Sequence, residues 1–357
     1  MGNSGFLETS ILGHVAHRVD ELLPDSWDAE LISGPRPSAG DARVVLRGPA
    51  GVGVTFGVEA RRAGALPLPR LVASLREREQ ELGLPVVLVS DYLGPVTRRT
   101  LAAAGLSYAD ATGWVRLVSE NPLILLTGDG AERAPRAGEP AALVRMNGVA
   151  SGRVIRALAA AEVPTGVRAL ATLAQVSPGS VSKLLATLAV EGIIDRDASG
   201  AVTTVRCRAL VRRWAQDYRY ATTNAGVGYW LAPRGLERAL DRLDGQEGVT
   251  ITGSAAARRM LPPDATSVVP LRLLALYAPS PRVLAQQLGL VEADPSTANV
   301  VIAAPQDPRI LPGPGDPVGL APPALVLADL LTLPGRSDAE AEQLMDEMAS
   351  SDPSWKE

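Results

Sequence analysis

Apolar positions change period along the chain in blocks, and each change predicts an element. Ala42 to Arg47 and Val52 to Ala60 are rich in β-formers and are joined by Gly48-Pro49-Ala50-Gly51, which predicts two strands and a hairpin turn. Leu66 to Leu82 has the period of an amphipathic helix. Leu84 to Ser90 is a continuous apolar run, as in a strand covered on both faces. A helix over Val96 to Ala104 and a strand-turn-strand over Leu106 to Val118, turning through Asp110-Ala111-Thr112-Gly113, complete an α/β order. Gly128 to Pro140 has no period and reads as a linker.

Beyond the linker the pattern becomes helical. Val154, Ile155 and Leu158 form the inner face of one helix. Val167, Leu170, Leu173 and Ala174 form that of a second, entered through Pro164-Thr165-Gly166. Ser177 before Pro178 is an N-cap followed by a proline start, and Val181, Leu184, Leu185 and Leu188 are the inward stripe of a third helix. Ile193 to Arg196 and Ala201 to Val205 then flank Asp197-Ala198-Ser199-Gly200, a hairpin. Three helices and a hairpin in this order predict a winged helix-turn-helix, whose third helix enters the DNA major groove. Its outward residues Gly179, Ser180, Ser182, Lys183 and Thr187 are small or polar. With Ser177 they are the candidate DNA-contacting set, and Arg196 and Arg206 beside the hairpin are candidates for the phosphate backbone. Winged helices also serve as protein-binding modules and spacers, so a protein partner stays open.

Charge sharpens this reading. The 357 residues sum to −4, yet Arg145 to Tyr220 holds eleven Lys/Arg against five Asp/Glu, a basic block between acidic flanks. Arginine outnumbers lysine 33 to 2, a bias expected of a GC-rich genome, so the rarity of Lys183 is partly compositional. Cys207 is the only cysteine, which excludes an internal disulfide and a cysteine-based zinc site. No apolar run approaches the roughly 20 residues of a membrane span, and the first residues lack the basic and apolar regions of a secretory signal. The expectation is a cytoplasmic, nucleoid-associated protein without a cofactor.

The N-terminal order, with Asp41 before one strand and Glu59-x-Arg61 at the end of the next, resembles the restriction-endonuclease-like fold. In that family Asp, Glu and Lys hold a divalent metal and activate water. Arg61 stands in the lysine position, and a guanidinium that stays protonated does not replace that lysine. The expectation is therefore a degenerate, non-cleaving domain; a metal-dependent nuclease is the alternative. Gly105 to Leu117 is similar to a segment of endonuclease-like domains fused to winged helices, and as a sequence it reads as a strand-turn-strand closing the sheet.

Val249 to Ala257 joins a strand to a helix through Gly253-Ser254, which resembles the opening of nucleotidyltransferase folds, but Asp264 is the one acid that follows nearby. The winged-helix segment, Leu210 to Tyr218, the Thr-Gly-Ser-Ala-Ala turn, Asn299 to Ile302 and Leu327 to Leu331 together resemble the AbiEi-type antitoxin and regulator family over residues 145–348. The resemblance implies a DNA-binding repressor whose C-terminal domain supports dimerisation, DNA contact or antitoxicity.

The predicted organisation is an α/β chain: a restriction-endonuclease-like domain at 1–140, a winged helix-turn-helix at 145–207, a nucleotidyltransferase-like α/β domain at 208–349 and a poorly ordered tail at 350–357. The function expected is a non-enzymatic, sequence-specific transcriptional regulator of double-stranded DNA, dimeric because two half-sites multiply affinity. A type IV antitoxin or phage-defence component binding a toxin or other protein is the second reading. His14 and His17 share a helix and, as the only histidines, are assigned to its surface or core rather than to a metal. Trp214, Tyr218, Tyr220, Tyr229 and Trp230 are assigned to core rather than to base stacking, and Arg212-Arg213 is open between phosphate and solvent.

Overall fold

The computed structural model describes residues 3–32, 42–132, 145–335 and 337–356. The chain falls into two compact units, Met1–Val144 with Lys183–Thr204, and Arg145–Ser182 with Val205–Glu357. Residues 145–207, expected to stand as a domain of their own, are thus shared between the two units.

The first unit contains α1 (Asn3–Leu22), β1 (Asp28–Ile32), β2 (Arg43–Arg47), β3 (Gly53–Ala60), α2 (Leu68–Leu82), β4 (Val86–Ser90), α3 (Pro95–Ala103), β5 (Ser107–Asp110), β6 (Val115–Glu120) and β7 (Leu123–Gly128). Its seven strands lie in sequence order. The pairs β3–β4 and β4–β5 are parallel and the others antiparallel. The parallel pairs are those joined by α2 and α3, since a parallel connection needs a crossover long enough to hold a helix. All five residues of β4 are buried, as its unbroken apolar run requires. Val15 and Val19 of α1 join Leu46, Phe56, Val87, Val89 and Leu117 of the sheet in one core.

Two of these strands are absent from the sequence reading of the sheet. Strand β1 is short, and its alternation rests on Ala29 and Leu31 alone, both only half-buried. In β7, apolar side chains occupy both faces, with Leu123 86 % and Leu125 66 % exposed, so the alternation is hidden. The N-terminal helix was foreseen for its histidines only.

The next elements are α4 (Val149–Ala159), α5 (Val167–Ala174), α6 (Pro178–Val190), β8 (Ile194–Arg196) and β9 (Val202–Val205). They follow the predicted three helices and hairpin. Gln175 adopts left-handed backbone (φ 51°) and ends α5 in the turn before α6.

The remainder of the second unit comprises α7 (Cys207–Ala215), α8 (Tyr220–Thr223), β10 (Ala225–Leu231), α9 (Leu236–Asp241), β11 (Thr250–Thr252), α10 (Gly253–Met260), β12 (Leu274–Tyr277), α11 (Pro281–Leu288), β13 (Val291–Glu292), β14 (Val300–Ala304), β15 (Gly319–Leu320), α12 (Pro323–Leu330) and α13 (Ser337–Ser351). Six strands form a mixed sheet in the order β13-β10-β14-β12-β11-β15. Helix α12 is buried from Ala324 to Leu330 and packs against α4, α7, α10 and α13, as an apolar helix with no polar face must.

Two expectations change here. The nucleotidyltransferase-like turn is closed by its own chain: Gly253 (φ 58°) lies against Leu333 and Ala275, and Ser254 Oγ donates to Glu340. A phosphate would have to displace these groups to reach the start of α10. The tail is also packed rather than loose. Trp355 is 1 % exposed, and its carbonyl accepts a hydrogen bond from Arg208 Nε at 2.6 Å. The side chain of one tryptophan outweighs the polar composition around it.

Candidate nucleic-acid interface

Helix α6 begins as its sequence demands. Ser177 Oγ accepts from the Ser180 N–H at 3.2 Å and shares a hydrogen bond with Ser180 Oγ at 2.9 Å. Val181, Leu184, Leu185 and Leu188 are buried, whereas Gly179, Ser180, Ser182, Lys183 and Ala186 are exposed. Thr187 is half-buried and its hydroxyl donates to the Lys183 carbonyl at 3.3 Å, so it is partly spent within the helix. The Lys183 ammonium makes no hydrogen bond or ion pair among the described residues. The exposed face is narrow in side-chain volume and has one cation, a surface that admits close approach of a groove floor.

The wing candidates are less available. Arg196 is half-buried and its Nε donates to the Gly200 carbonyl at 2.9 Å, laying the guanidinium along the turn. Arg206, at the start of α7, is half-buried and engaged. Asp197 organises the turn: its side-chain bond from Ser199, then the Ala201 N–H, holds its carboxyl below the usual range. Within the first unit the wing is anchored to the sheet domain. Buried Asp195 accepts the Leu68 N–H at 3.3 Å at the start of α2. Gly94 leaves no room for a side chain against Glu191, nor does Gly192 against Thr97. Ala63, Gly64 and Ala65 line an open groove with Ala186, Ala189 and the wing turn.

Five arginines of the basic block are neutralised within the second unit. Arg153 and Arg156 both grip Asp307, at 2.7 Å for Arg153 Nη2. Burial alone would raise the Asp307 carboxyl, but the two guanidinium groups bring it below its ordinary value. Arg212 meets Glu342 at 2.8 Å, Arg208 meets Glu342 and Asp346, and Arg213, 4 % exposed, meets Asp217 at 2.7 Å. Trp214, Tyr218, Tyr220 and Trp230 are buried as core, whereas Tyr229 is half-buried. The solvated or phosphate-binding role left open for Arg212-Arg213 gives way to ion pairing.

Two features were not singled out in sequence. Arg168 on α5 is exposed and unpaired among the described residues. Asp329, fully buried, accepts hydroxyl hydrogen bonds from Tyr218 (2.7 Å), Tyr277 (2.8 Å) and Thr252 (2.5 Å). Burial pushes its carboxyl up to about 7, against the opposing pull of those donors.

Of the nuclease-like set, Glu59 and Arg61 are described. Asp41 lies outside the described residues. Glu59 is bound by Arg61 Nη2 at 2.8 Å, and the same nitrogen donates to Ser74 Oγ at 3.2 Å. Among the described residues no group of three or more His, Cys, Asp or Glu is placed to hold a metal. His14 and His17 are exposed on α1, His17 beside Glu21 at 3.4 Å. Asp110, in the Gly105 to Leu117 segment, is buried and accepts from Leu93, Thr112 and Trp114, the work of a turn organiser.

Residues 151–198 match the family model of the IclR helix-turn-helix domain. The matched segment spans α4, α5, α6 and the first wing strand, and it supports a DNA-binding transcriptional regulator. The wider AbiEi-type reading extends beyond this segment. No curated protein and no solved structure matches the chain. Among the described residues no helix is long and apolar enough to cross a membrane.

Proposed function

We propose that the protein is a sequence-specific transcriptional regulator that reads duplex DNA with the outer face of α6. The observation that supports this most is the coincidence of the IclR-type match with an exposed, small and polar α6 face whose one cation, Lys183, has no partner among the described residues. In this reading Gly179 and Ser182 permit and make contacts in the major groove, Ser180 joins them through its remaining hydrogen-bond capacity, and Lys183 meets a phosphate or a base edge. Arg168, near the start of α5, adds a backbone contact, the usual duty of the first helix of such a pair. Arg196 and Arg206 would serve only after leaving their present partners. Glu59 and Arg61 are structural, each answering the other's charge.

The regulator acts as a dimer in this proposal, because one short helix face spans a single half-site and two half-sites multiply affinity. Incubating the purified protein with fragmented genomic DNA, recovering the bound fragments and sequencing them tests the reading. A shared motif with two related half-sites is expected. Recovery of fragments without sequence preference would remove specificity from the proposal.

A further inference from the structure

We propose a second, anion-binding site on the C-terminal sheet domain: a three-arginine cavity that takes a small phosphate-bearing metabolite. The inference stands apart from the DNA reading. Arg234 precedes α9, Arg238 lies on it, and Arg242 follows its last turn; all three line one cavity of about 220 Å³, with Ala232, Ala239 and Leu290 among its apolar walls.

The contrast with other arginines of the same unit carries the argument. Arg153, Arg156, Arg208, Arg212 and Arg213 each hold a carboxylate. Among the described residues no carboxylate lines this cavity. The acids of α9, Glu237 and Asp241, are exposed and are not part of its wall. Arg234 and Arg238 are exposed and make no hydrogen bond or ion pair among the described residues. Arg242 is held in place instead, its Nη1 donating to the Leu288 carbonyl at 2.8 Å beside Gly289, whose left-handed backbone (φ 67°) brings no side chain to obstruct it.

Three guanidinium groups facing one concavity repel each other, and an anion with several oxygens converts that repulsion into charge-assisted hydrogen bonds. A phosphate offers the oxygens for more than one guanidinium fork. The apolar walls suit the carbon skeleton of a small metabolite, as mixed lining does in ligand pockets generally.

Inorganic pyrophosphate is the probe. Calorimetric titration into the full chain at low ionic strength should show saturable binding that weakens roughly tenfold or more in the double variant Arg234→Ala/Arg238→Ala. Thermal melting of that variant should match the wild type, since neither side chain has a partner to lose. Lys183→Ala should bind pyrophosphate as the wild type does, separating this site from the DNA face. Equal affinity in wild type and double variant would overturn the proposal, as would the absence of saturable binding in the wild type. Loss of DNA affinity in the double variant without pyrophosphate binding would likewise overturn it, and would assign the arginines to the DNA backbone.

Discussion

Helix α7 carries more positive charge in sequence than α6, although the cap, the apolar stripe and the small polar outer face mark α6 as the DNA-reading helix. Helix α7 has Arg208, Arg212 and Arg213 beside Trp214, whereas α6 offers Lys183 alone. In the fold the order of available charge is the opposite of the order of total charge. Each α7 arginine meets a carboxylate, two of them on α13, and Trp214 is 2 % exposed. Lys183 has no acid beside it and lies among small exposed residues. A count of charge along the chain therefore does not locate an anion-binding surface. What locates it is the charge left over after internal pairing, and that depends on residues far away in sequence.

The largest effect is expected at Asp307. Asp307→Ala leaves Arg153 and Arg156 charged, largely buried and unpaired, and should cost about 3 kcal/mol of stability by the usual penalty for an orphaned buried charge. Urea melts of the variant and wild type would measure it; an unchanged midpoint would mean that the two arginines are solvated.

Asp329 gives an effect with a definite sign. Its folded value of about 7 lies above the ~3.9 of an unfolded aspartate, so folding takes up a proton between those limits. Its contribution is most favourable below about pH 4, declines as pH rises towards 7, and is level above that. Asp329→Asn should remove this slope. Melting temperatures of both proteins from pH 4 to 8 would check it, and parallel curves would contradict it.

The smallest effect belongs to Arg212. Its ion pair with Glu342 is partly exposed, so Arg212→Ala should cost less than about 1 kcal/mol. It should also leave DNA affinity unchanged, because its charge is already answered. Loss of DNA affinity in this variant would restore the basic block to the interface.

The winged helix was legible because its signals are local: the Ser177 cap, the stripe from Val181 to Leu188 and the Ser199-Gly200 turn all act within a few residues. The same holds for β2 to β6 in the N-terminal domain. What was not legible depends on distance. Asp307 lies 151 residues from Arg156, and Asp329 lies 111 from Tyr218, so no window of sequence shows either pair. Asp195 reads as a polar wing residue until the start of α2 is found beside it. Trp355 reads as a stray aromatic in a polar tail until Arg208 is found holding its carbonyl. Arg168 was missed for a different reason: in a chain rich in arginine, one more has no local signature, and only its exposure without a partner sets it apart.

The central claim is that unpaired charge on α6, and not the larger paired block, meets DNA. Fluorescence-anisotropy titrations of one recovered DNA site across a series of salt concentrations, with wild type, Lys183→Ala and Arg212→Ala, test it most directly. Lys183→Ala should weaken binding by about 1 kcal/mol and lower the salt slope by about one, with Arg212→Ala following the wild-type line. A wild-type line for Lys183→Ala, or a flattened one for Arg212→Ala, would contradict the claim.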